Sequence, residues 1–171
     1  MVAAEAAFHT FFRFLTLTWK SALCACMAVI MLGCSIALAQ EPLKRESLTL
    51  TTRTGSHKFD VEIAATSAEQ AKGLMYRRSM NPAHGMLFIY NDAQYVSMWM
   101  RNTYISLDMV FILPDGRVHR IETMTEPHSE RIIESGDQIS AVLELLTGTA
   151  ARIGLKAGDK VLHPHFKPAP K

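Results

Sequence analysis

The sequence predicts a mainly β fold: a compact antiparallel sandwich- or barrel-like domain of about eight strands with one or two short helices. Three observations predict it. Apolar runs of strand length recur at short spacing, Gly, Pro, Asn and Asp turn signals separate them, and only one strong helix-start pattern interrupts them. The pattern runs through residues 47–166 without internal repeats or low-complexity tracts, so this stretch is expected to be a single globular domain.

Upstream of it the chain changes character. Residues 1–20 carry Arg13 and Lys20 against one acid, Glu5, and Ser21–Ala39 has no charge at all. A basic flank, an apolar stretch and the small-residue ending Ala37-Leu38-Ala39 are the marks of a secretory signal peptide over residues 1–39. The competing expectation is an uncleaved anchor, since the apolar stretch approaches the about 20 residues that span a bilayer. Cys24, Cys26 and Cys34, the three cysteines of the chain, all lie here. Cleavage would leave no thiol for catalysis, disulfides or zinc. The expected location is the periplasm or the exterior, with membrane attachment only if residues 21–39 are retained.

Residues 40–46 are polar and read as a tether. Ser47–Arg53 and His57–Ala64 flank Thr54-Gly55, and the second run alternates Phe59, Val61, Ile63, which predicts a hairpin. Thr66-Ser-Ala-Glu69 is a capping box opening a helix of about two turns that ends at Gly73. After a loop, Gly85–Tyr90 is a short apolar strand, and Asn91-Asp92 is expected to turn the chain into Tyr95–Arg101. Ile105–Leu113 is the most apolar strand, closed by Pro114-Asp115-Gly116 and followed by Arg117–Met124. A loop over Pro127–Gly136 leads to the strand Gln138–Leu146. A short helix is expected at Thr149–Ile153, a last strand at Lys156–His163, and residues 167–171 form a loose tail.

The segment Tyr95–Leu113 carries the functional candidates. With Asn102-Thr103 as a two-residue hairpin loop, Arg101 faces Tyr104, Trp99 faces Ser106 and Ser97 faces Asp108. Met98, Met100 and Leu107 then share an apolar face, with Trp99, Arg101, Ser106 and Asp108 opposite. Trp99 and Tyr95 would supply flat surface with polar edges, Arg101, Asn102 and Asp108 would fix a ligand's orientation, and Arg77 would stand with Tyr95 at the rim. Asp108 has an equal structural reading, as an ion pair with Arg101, Arg77 or Arg78 or as a cap onto a loop.

Several motifs occur together in the order GLMYR (73–77), GMLF (85–88), MWMRNTYISLDMVF (98–111), LELLTG (143–148) and GLKAGDKV (154–161). In this the chain resembles the exported bacterial and archaeal family called Domain of Unknown Function 192, over essentially all of Ser47–Phe166. Met98 stands where the family usually has Phe and Arg101 where it has Lys, which keeps apolar for apolar and cation for cation. The resemblance implies a small, mostly β, sandwich-like domain, commonly behind a signal peptide, and no established activity.

The formal net charge of +2 over 171 residues lacks the clustered basic stripe of a nucleic-acid binder. The expected function is a binding or envelope-associated module for a small ligand, glycan or peptide, working as a monomer without cofactor or resident metal. Two alternatives come from the residues. Asp108 with Glu144 or His84 would serve a hydrolase. His163 and His165, with a methionine-rich chain, would serve periplasmic copper binding.

Overall fold

The computed structural model describes residues 42–166. The expected signal peptide and the tail at 167–171 lie outside them. The described residues form nine strands and two short helices, so the expected fold class holds. The strands are β1 (Arg45–Thr52), β2 (Gly55–Ala64), β3 (His84–Gln94), β4 (Ser97–Met98), β5 (Leu107–Ile112), β6 (Val118–Glu122), β7 (Ile133–Glu134), β8 (Ile139–Leu146) and β9 (Lys160–Leu162). Helix α1 spans Ser67–Lys72 and α2 spans Thr149–Ile153. Among the described residues no helix is long and apolar enough to cross a membrane.

Seven strands form one sheet in the order β6-β5-β8-β3-β2-β1-β9, antiparallel except for β2 and β3. The parallel pair follows from α1, which carries the chain back to the starting end of β2 before β3 begins. Its capping box is as the sequence predicts: the Thr66 hydroxyl accepts from the Glu69 amide, and Glu69 accepts from the amides of Ala65 and Thr66. The sheet curls until its edges meet. The Val161 amide donates to Gly116, the Gly158 amide to Val118 and the Val118 amide to Asp159, with a bridge between Arg117 and Lys160. Closure requires Gly116, because a Cβ there would lie 2.7 Å from the Val161 carbonyl oxygen.

All seven strands contribute to the inner core, among them Leu48, Phe59, Val61, Leu87, Val110, Val118, Leu143 and Val161. A second core lies on the outer face of β3, β5 and β8, with Met86, Phe88, Leu107, Met109, Phe111 and Val142. It is covered by Leu74, Val96, Met100, Ile133 and Ile139. The central strands are therefore buried on both sides, as the unbroken apolar run Leu107–Ile112 reflects.

The tether expected at residues 40–46 gives way to strand at Arg45 and Glu46, which already pair with Glu62 and Val61 of β2. Two further expectations are corrected. The hairpin through Asn102-Thr103 does not form: β4 pairs with β7, Ser97 opposite Glu134 and Met98 opposite Ile133, while β5 is held between β6 and β8. A two-residue hairpin turn of type I′ wants left-handed backbone at both positions. Asn102 adopts it (φ 59°), but Thr103 is not among the positive-φ residues, and its β-branched side chain disfavours that region. The Thr103 amide instead donates to Met100, making a tight local turn. The second correction is at Asn91-Asp92, which do not end the strand. β3 runs on to Gln94 through an irregularity between Ile89 and Gln94 in its ladder with β8.

Candidate functional site

A cross-strand row on the outer face organises the site. Register places Arg45, Glu62, Met86, Glu144, Met109 and Glu122 side by side on six consecutive strands. At one side Arg77 grips Glu62 with both guanidinium nitrogens, at 2.8 and 2.5 Å, and Arg45 adds a contact at 3.1 Å. Hydrogen bonding from Arg77 holds the Glu62 carboxyl below its usual range, and the same bonds raise Arg77. At the other side Glu122 is held by Arg120 and Arg131.

Glu144, between them, has no such partner. It is 4 % exposed, flanked by the fully buried Met86 and Met109, and accepts no hydrogen bond among the described residues. Burial pushes its carboxyl up from the ordinary 4.5 to about 8, with Arg77 pulling weakly the other way. Glu144 lines a cavity of about 500 Å³ together with Tyr90, Tyr95, Met98, Trp99 and Thr103. Gln70 and Lys72 of α1 line it as well. Burial, and then the charge of Glu144, push the Tyr90 hydroxyl up to about 12, so it remains a neutral donor. The cleft thus presents a carboxyl that accepts no hydrogen bond among the described residues, the phenol of Tyr90, two exposed aromatic residues, Tyr95 and Trp99, and Lys72.

The residues expected to form one face are distributed differently. Tyr95 and Trp99 line the cleft, and Arg101 stacks its guanidinium 5.2 Å from the centre of the Trp99 ring. Arg77 stands beside the cleft, committed to Glu62. Asn102 serves the backbone, its carbonyl accepting from the Tyr76 amide. Asp108 is elsewhere. It is fully buried on the inner face, where its two oxygens accept from the Ala150 amide at 2.9 Å and the Met124 amide at 3.1 Å. Gly148, preceding α2, has no side chain to cap that helix, and Asp108 supplies the acceptor from a distant strand. The shared face of Trp99 and Asp108 is therefore corrected, because the hairpin that would align them is absent.

Sequence reasoning named Glu144 only as a possible acid partner and missed Tyr90, Gln70 and Thr103. The signal for Glu144 was an isolated carboxylate inside Val142-Leu-Glu-Leu-Leu146, a run otherwise fit for burial. Glu144 and Asp108 do not form an acid pair, since Glu144 shares a face with Met109 and Asp108 with Leu145. His84 sits beside Asp60 and Arg45. His163 lies 3.1 Å from Glu46, and His165 lies 3.1 Å from the Ser140 carbonyl. Among the described residues, no three His, Asp or Glu side chains converge as a metal site would require. A second exposed cluster escaped notice: Tyr104 packs against Tyr76 and His128, with Arg78 over its ring at 5.5 Å.

A curled, mostly antiparallel sheet whose edges meet, with a cleft on its outer face, defines a small β domain. The chain belongs to the DUF192 family, described as an uncharacterized ACR, whose profile matches residues 49–163. Two solved structures are similar to it, each at 42% identity and a TM-score of 0.71. One, from Sinorhizobium meliloti 1021, is described as "a putative transcription regulator"; the match covers 72% of this chain and 97% of that one. The other is a protein of unknown function from Novosphingobium aromaticivorans DSM 12444, with 73% and 89% covered. No functionally curated protein matches the chain.

Proposed function

We propose that this domain is a binding module of the cell envelope, taking a small ligand or a short part of a glycan or peptide in the Glu144 cleft. The observation that carries the reading is Glu144 itself. A carboxyl with almost no solvent contact and no hydrogen bond among the described residues costs stability, and such groups collect where a ligand completes the network. Tyr95 and Trp99 beside it give the cleft the mixed character of recognition surfaces, with flat rings near polar groups. The charge-free stretch Ser21–Ala39 and its Ala-Leu-Ala ending support an exported, processed chain. Arg101 acts here as a support that fixes the Trp99 ring.

The test is thermal shift of the protein recovered from expressing cells, against neutral sugars, short peptides and amines. A ligand of the cleft raises the melting temperature in a saturable way by mass action, and Trp99→Ala removes that shift. If no class of compound produces a shift that Trp99→Ala abolishes, the cleft is not a binding site.

A second reading has one observation in its favour. A carboxyl held protonated to about pH 8 is what a general acid needs, so Glu144 would be the proton donor of a hydrolase. Turnover of any ester or glycoside that stops in Glu144→Gln would establish it.

A further inference from the structure

We infer that the cleft takes an organic ammonium group, such as a lysine-type side chain, which lies against the aromatic rings and sets its charge on Glu144. The inference rests on the binding reading above and names its ligand class. Three features of the site select a cation over a neutral or anionic ligand.

The first is the missing partner. Along the row across the outer face, Glu62 and Glu122 are each held by two arginines, yet Glu144 receives no hydrogen bond among the described residues. The neighbouring cation is not free to serve it, because Arg77 is spent on Glu62 through both nitrogens. No arginine is seated on Glu144 as on Glu62 and Glu122, and a ligand's ammonium would bring the N–H donors and positive charge that a buried carboxylate needs. The second feature is the lining. Tyr90, Tyr95 and Trp99 line the same cavity, and aromatic rings attract cations, as Arg101 over the Trp99 ring already shows. The third is scale. About 500 Å³ admits a four-carbon stem with its ammonium head and falls in the range of small-molecule sites.

The charged and titratable groups around Glu144 are few. Tyr90 stays neutral, Arg77 and Arg45 both pair with Glu62, Glu122 is paired beyond Met109, Arg101 lies over the Trp99 ring, and Lys72 lines the cleft from the C-terminal end of α1. Glu144 is therefore the group whose ionisation the ligand drives. Near neutral pH its proton leaves to the buffer as the ammonium arrives, so binding releases a proton and tightens as pH rises toward about 8. A neutral ligand accepting a hydrogen bond from protonated Glu144 would show the opposite sign.

The experiment uses the protein recovered from expressing cells and a lysine blocked at its α-amine and carboxyl, with identically blocked norleucine as the neutral control. Calorimetry is run in two buffers of different ionisation enthalpy across the pH range of Glu144. The expected result is saturable binding of the lysine at least tenfold tighter than norleucine, with proton release near neutral pH. Glu144→Gln should weaken it at least tenfold while its melt shows a folded protein; a variant that fails to fold is replaced by Trp99→Ala, for which the same loss is expected. Equal binding of both compounds, or lysine binding indifferent to Glu144→Gln, overturns the ammonium inference. So does lysine binding that weakens toward pH 8. If a neutral sugar or peptide binds in a Trp99-dependent way and the lysine does not, this inference fails and the cleft stands. If nothing binds, both fail.

Discussion

Asp108 and Glu144 lie one register step apart on adjacent strands, yet their carboxyls point to opposite faces of the sheet. Both are almost without solvent, at 0 % and 4 % exposure, and they are treated in opposite ways. Asp108 receives two backbone amides, one of them from the start of α2. Glu144 receives none among the described residues. One carboxylate is structural and the other is available.

Asp108→Ala should therefore lower stability without touching the cleft. It strands the buried Ala150 amide and also leaves the Met124 amide without its acceptor, so a loss of about 1–3 kcal/mol is expected in denaturant melts. A change in cleft binding greater than the change in stability explains would count against the structural assignment.

Glu144 should make stability fall as pH rises. Its folded pKa, about 8, lies above the ordinary 4.5, so between those values the folded state holds a proton that the unfolded state has lost. Stability from this group is complete below about pH 4.5 and is lost through about pH 8, at a slope of at most about 1.4 kcal/mol per pH unit. Glu144→Gln removes the titration. Melts of the two proteins across this range should diverge, with the variant gaining relative to the parent at the alkaline end. Parallel curves would mean that Glu144 is not a buried acid.

The methionines separate by burial. Met100 and Met109 are 1 % and 0 % exposed, and replacing either with Ala should cost about 2–5 kcal/mol. Met98 is only half-buried against the same cluster and should cost less. Urea unfolding of the three variants checks the order.

Gly85→Ala should strain the junction under the site. A Cβ there would lie 2.7 Å from the Glu144 carbonyl oxygen and 2.9 Å from Leu145 Cδ2, so β3 and β8 must part. A loss of about 1–3 kcal/mol is expected from overpacking. Because the displaced backbone belongs to Glu144, binding in the cleft should weaken with it, and calorimetry would show this.

What the sequence made legible was local. The capping box at Thr66, the Thr54-Gly55 hairpin and the short helix at Thr149 each depend on neighbours within a few residues, and each is found. Alternation also grouped Met98, Met100 and Leu107 correctly in one core, though through partners other than those expected. The pairing of β5 was not legible, because β8 lies far along the chain and a strand buried on both faces carries no alternation to fix its register. Asp108 stayed open between a ligand contact and a structural cap for the same reason: a carboxylate between Leu107 and Met109 looks alike in either role. Glu144 became visible only when Met86 and Met109 were known to flank it.

The closure of the sheet has a consequence for how the chain reaches this state. β9 is the last strand formed by the described residues and its partner β1 is the first, with Thr49 opposite Leu162. Residues 45–52 must keep one ladder open until residues 160–162 exist, and such distant pairing is entropically costly and slow to form. An emerging chain can build the β1–β2 hairpin and the helix after it, but the ring stays incomplete until its final turn arrives. Shortening the chain at Lys160 would therefore remove more than three residues of strand. It would leave β1 and β6 as bare edges that offer their unpaired backbone to neighbouring molecules.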